Sequence, residues 1–218
     1  PNFFRRLFAE GSINNAFIPM YLEIKKRNGE KKAELFVGKF ISILLLFLVI
    51  LVGLMELFIL QIVSFLAPGF DSDLLEKTSF LASIMMPYLI LISISSLIGA
   101  TLNAHGRYAL WSFSPIILNL IMIAGMCYAV FSNFITEVVL AWSVMIAGFI
   151  QLFVLIIWVR LKRIRVVFLF PSLSNDIKSL LKLLIPNFLA GGVIQINQFV
   201  GLYFASSITG AISWLYYS

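Results

Sequence analysis

The chain has 218 residues, 61% of them hydrophobic and 12% charged, with a mean hydropathy of +1.02. A soluble domain carries about a quarter charged residues, so this composition excludes a water-solvated globule and marks an all-α polytopic membrane protein. One cysteine (Cys127) and one histidine (His105) exclude a disulfide framework and a Cys/His zinc centre, and the net charge of +6 sits in short links between apolar runs, which fits membrane orientation better than a nucleic-acid surface.

The opening stretch, PNFFRRLFAEG, places Arg5, Arg6 and Glu10 in a chain otherwise built for lipid. On a helical period Phe3, Phe4, Leu7 and Phe8 form an apolar stripe, while Asn2, Arg5, Ala9 and Ser12 share another face. Glu10 stands four residues after Arg6 and can neutralise it, which leaves Arg5 without a partner. An unpaired arginine at depth costs about 2.5 to 3.5 kcal/mol, so Arg5 faces either a wet cavity or an anionic ligand, or both arginines snorkel to headgroups. The residues alone tilt slightly toward snorkelling.

Residues 12–23 continue the helix with a polar pattern and Pro19, a poor lipid-facing surface, and residues 24–34 read as a basic loop. Apolar spans follow at about 35–65, 78–102, 110–132, 136–159 and 178–208, with the start of another after Gly210. The links at 24–39, 103–109 and 160–182 hold thirteen of the sixteen basic residues, and the alternate links hold only Lys77. The positive-inside rule makes the first set cytoplasmic and supports the parsing. The chain starts without an initiator Met or signal-peptide pattern and stops at WLYYS, so a fragment of a longer protein is expected.

Other polar groups inside the spans are ion or gating candidates. Glu56 lies among large apolar residues, where a protonated, structurally neutral carboxyl is the simpler reading than a proton relay. The last full span carries Pro186, Gly191 and Gly192, then Gln195, Asn197 and Gln198. A proline and a glycine pair are expected to interrupt this helix, either for ion or substrate contact or as a kink with interhelical amide bonds. Pro87, Pro115, Asn119 and Gln151 read as kink and packing devices, and Trp111, Trp142 and Trp158 as interfacial anchors. His105 reads as a solvated loop residue. A lipid-processing enzyme would want an acidic metal cluster, for which Asp71 and Asp73 are the only candidates. No ATPase or hydrolase motif occurs.

The run PNFFRRLFAEGSINNAFIPMYLE resembles the second-helix signature of the MurJ (MviN) lipid II flippases. APGFD, PYLILISISSLIGATLNAHGRY, SPIILNL and SITGAISWLYYS are similar to later segments of that family, in order. The resemblance implies a fourteen-helix bundle of the multidrug/oligosaccharidyl-lipid/polysaccharide (MOP) exporter superfamily. This chain would supply helices two to seven and the beginning of the eighth: most of the N-terminal lobe in residues 1–165 and the start of the C-terminal lobe in 166–218. It further implies a non-enzymatic, multi-pass protein of the bacterial cytoplasmic membrane, monomeric at full length and without a cofactor. Such a protein flips undecaprenyl-diphosphate-linked peptidoglycan precursor outward by alternating access, coupled to membrane potential, Na+ or H+. Arg5 then takes the cavity position, with Arg6, Glu10 and Asn2 as further substrate contacts. The alternative is another exporter of the superfamily, for polysaccharide lipids or drugs; without the first helix the fragment alone is not expected to transport.

Overall fold

The computed structural model describes residues 12–162, 164, 166 and 169–206, and for residues 12–14, 110, 187–196, 198 and 199 the backbone alone. These residues form α1 (Ser12–Asn28), α2 (Glu30–Leu57), α3 (Ile59–Leu66), α4 (Ser72–Met85), α5 (Tyr88–Ala104), α6 (Tyr108–Ser112), α7 (Ser114–Ser132), α8 (Thr136–Leu161) and α9 (Asn175–Ala205). Among the described residues four stretches are long and apolar enough to cross a membrane: Glu30–Leu57, Ser72–Ala104, Ser114–Ser132 and Thr136–Leu161. They coincide with the first four spans expected from hydropathy.

Two expectations are corrected. Residues 24–34 are not a loop, because α1 and α2 meet with only Gly29 between them. Gly29 has φ +85, and that left-handed conformation lets two helices join in one residue. Nor do Pro186 and the glycine pair interrupt the last span, since α9 runs unbroken for 31 residues. A membrane helix tolerates proline when neighbours re-satisfy the freed carbonyl. Pro87, in contrast, does mark a joint, at the turn between α4 and α5.

The bundle is organised around α5, in which Tyr88, Leu89 and the whole run Ile92–Leu102 are buried. The small residues Ser93, Ser95, Ser96, Gly99, Ala100 and Thr101 let neighbouring backbones approach. On one side α5 packs against α1 and α2, on the other against α8, which in turn holds α7; α9 lies against α1. The core between α1, α2 and α5 contains Phe17, Tyr21, Phe36, Phe40, Ile41, Leu48, Leu97 and Leu102. Phe17 stacks on Phe36 and Phe40 with ring centroids 5.8 and 6.0 Å apart. On α7 the side chains of Leu120, Ile123, Met126, Val130 and Phe131 are exposed, as a lipid-facing surface requires.

The links sort to two ends as the charge count requires. At one end His105 meets Glu30 and Arg27 meets Asp176, which joins the three basic links. At the other, Lys77 bonds Glu137 at 2.9 Å and the Gly69 amide donates to Ser206 Oγ at 3.3 Å. The basic end is cytoplasmic by the positive-inside rule.

Candidate functional site

Asn2, Arg5, Arg6 and Glu10 lie outside the described residues. Their continuation, α1, presents Asn15, Pro19, Glu23 and Arg27 at four-residue spacing, one stripe of a helix. These side chains are exposed in a core-forming helix because they line a cavity of about 530 Å³ between α1 and α9. Asp176, Ser179 and Pro186 form the facing wall. At the cytoplasmic rim the Arg27 guanidinium approaches the Asp176 carboxylate to 3.8 Å, with both side chains substantially exposed. The cavity thus joins an apolar body to polar and charged groups of both signs, the make-up of a site for an amphiphile with an ionic head. The polar pattern of residues 12–23 signalled this face, and Pro186 of the facing wall was among the residues singled out in the last span; that the two helices meet left no mark in the sequence.

A second polar cluster escaped the sequence reading. His105 is not a solvated loop residue, since its side chain is only 15% exposed and bonded to three elements. Nδ1 lies 2.9 Å from the Thr101 carbonyl, and Nε2 lies 3.3 Å from the Tyr21 hydroxyl and 3.2 Å from Glu30 Oε1. Lys25 Nζ donates to the same Glu30 oxygen at 3.0 Å. Glu30 precedes the apolar run that starts at Leu35, and the Lys25 hydrogen bond, followed by that of His105, holds its carboxyl below the usual range. Tyr21 is fully buried and its ring lies 5.6 Å from the imidazole. Contacts across 84 residues leave no local trace in a sequence.

Among the described residues the remaining candidates are not gathered into one site. Glu56 is half-buried in the last turn of α2 and has no hydrogen-bond or ion-pair partner among the described residues. Asn197 is exposed on α9; the side chains of Gln195 and Gln198 lie outside the described part of the structure. Asp71 has a structural task, because its carboxylate caps α4 by accepting from the Leu74 amide at 2.8 Å. Gln151, read as a packing device, is buried and donates from Nε2 to the Ser114 carbonyl at 2.7 Å, tying α8 to α7.

Antiparallel apolar helices, ends sorted by charge and a cleft of mixed apolar and charged lining between the first and last described helices define a polytopic α-helical membrane protein. The profile of the family described as "Lipid II flippase MurJ" matches residues 1–218, and the chain belongs to that family. Relatives named probable lipid II flippase MurJ include one from Rickettsia prowazekii, 37% identical over 221 residues, and one from Rhizobium tropici, 38% identical over 224 residues. Both matches cover 100% of this chain, and 43% and 42% of the relatives, so the chain spans somewhat under half their length. A solved structure titled "Lipid II flippase MurJ, inward closed conformation" has the same fold, with a TM-score of 0.77 at 22% identity over 97% of this chain and 43% of that one.

Proposed function

We propose that this chain is part of a flippase that carries lipid-linked peptidoglycan precursor from the inner to the outer leaflet of the bacterial cytoplasmic membrane by alternating access. The observation that carries the reading is the family match over the whole chain, joined to the Arg-Arg and Glu of the opening motif. A diphosphate concentrates negative charge, and arginine offers a planar fork of donors that keeps its proton in a low-dielectric cavity. Arg5 is the proposed diphosphate contact; Arg6 is balanced by Glu10, and Asn2 shares the Arg5 face.

The proposed lobe boundary near residue 165 assigns α1 to the first lobe and α9 to the second. The cleft then lies between lobes, and the Arg27–Asp176 ion pair crosses them at the cytoplasmic rim. Rocking one lobe against the other opens and closes this rim while the polyprenyl tail stays in lipid, and no covalent step is needed. The coupling is proposed to come from membrane potential or a Na+ or H+ gradient, and the full-length protein is proposed to work as a monomer. In full-length protein Arg5→Ala is expected to fail to complement a flippase-depleted strain while inserting normally, and Arg6→Ala to be impaired less. Growth restored by Arg5→Ala would overturn the assignment.

A further inference from the structure

We propose that His105 is a proton-operated clasp at the cytoplasmic end of the bundle, exchanging the α1 hydroxyl of Tyr21 for the α2 carboxylate of Glu30 as the partner of its Nε2. The other ring nitrogen fixes the tautomer. Nδ1 lies 2.9 Å from the Thr101 carbonyl oxygen, which only accepts, so Nδ1 carries a proton in both charge states of the ring. In the neutral ring Nε2 is therefore a bare lone pair. It can accept from the Tyr21 hydroxyl at 3.3 Å, but it cannot bond the Glu30 carboxylate at 3.2 Å, which has no proton to give. Once protonated, Nε2 becomes a donor, and the ionised carboxylate is a stronger acceptor than a phenol oxygen. One proton thus moves the bond from α1 to α2.

The surroundings favour an exchange over an escape to solvent. Tyr21 is fully buried and the imidazole is 15% exposed, so neither ring can turn freely to water. The charged groups facing the cluster are Lys25 from α1, and Glu30 and Glu34 from α2; from the α5 side Arg107 is exposed in the link. Lys25 donates to the same Glu30 oxygen and holds its carboxyl below the usual range, so the acceptor is ionised when the proton arrives. Net positive charge from the ring and Lys25 is balanced by Glu30 and Glu34. Acidification therefore fastens the end of α5 to α2 and loosens α1, the helix that continues the arginine motif. The clasp stands on these contacts alone, whatever cargo the protein carries.

The test uses full-length protein in lipid nanodiscs, with ¹⁵N-histidine labelling and the His105 signals assigned by difference from His105→Gln. The neutral ring is expected to carry its proton on Nδ1, the minor tautomer of free histidine. Amide exchange of residues 18–25, corrected for intrinsic pH dependence, is expected to rise about two- to tenfold from about pH 8 to about pH 5.5, the worth of one hydrogen bond. His105→Gln is expected to abolish that response. Glu30→Gln, at an exposed position that does not threaten folding, is expected to diminish it while leaving the neutral tautomer unchanged. A neutral ring protonated on Nε2, or an undiminished acid response in His105→Gln or Glu30→Gln, overturns the clasp.

Discussion

A β-carbon at Gly148 would lie 2.7 Å from Cδ2 of Tyr88 and 3.0 Å from Cδ1 of Leu91, so α5 and α8 can approach here only because the residue has no side chain. Tyr88 is buried at 4% exposure and its ring has little room to swing aside. Gly148→Ala is therefore expected to destabilise the full-length protein by about 1 to 3 kcal/mol, the cost of overpacking a filled core. At Gly53 nothing lies within 4 Å of where such a carbon would sit, and there Gly→Ala is expected to stabilise by about 0.4 to 1 kcal/mol through helix propensity. Thermal unfolding of the two variants in detergent reads both signs; midpoints that move together, in either direction, would show that close approach is not what requires Gly148. His105 belongs at this scale too. Its loop position in LNAHGR suggested solvation, yet as the C-cap of α5 it stands one turn after Thr101, and its ring bonds the Thr101 carbonyl and the Tyr21 hydroxyl.

Helices were the most legible level of the sequence, because crossing a bilayer needs about 20 apolar residues and that demand is written locally. The joints were less so. The basic run IKKRNGEKKAE looks like a loop by charge, but Lys, Glu and Arg are good helix formers and only Gly29 breaks the pattern. Pro186 looks like an interruption by type, but α9 passes through it. Which helices touch was illegible, since α1 meets α9 through Arg27 and Asp176, and α8 meets α7 through Gln151 and Ser114. The Arg27–Asp176 pair is exposed, and its net worth is expected to stay below about 1 kcal/mol. Its proposed role in closing the cytoplasmic rim is read by charge reversal: Arg27→Asp alone is expected to slow transport by the full-length protein, and adding Asp176→Arg to restore it. Equal loss in single and double variants would remove the pair from the gate.

At the scale of the whole molecule, two ends separated by charge, a central helix of small residues and a cleft between α1 and α9 are the features on which the proposed rocking about an ionic headgroup rests. The alternation of basic links predicted the two ends, and the structure brings those links together by named contacts at each. Arg5, the charge proposed to contact the diphosphate, stood out in the sequence because nothing nearby neutralises it. The most direct test is translocation of labelled lipid II by the full-length protein reconstituted in vesicles, compared between wild type and Arg5→Ala at equal incorporation. Outward movement is expected in the wild type, and its loss in Arg5→Ala. Undiminished movement in Arg5→Ala, or none in a wild type that complements growth, would contradict the proposed role of the arginine motif.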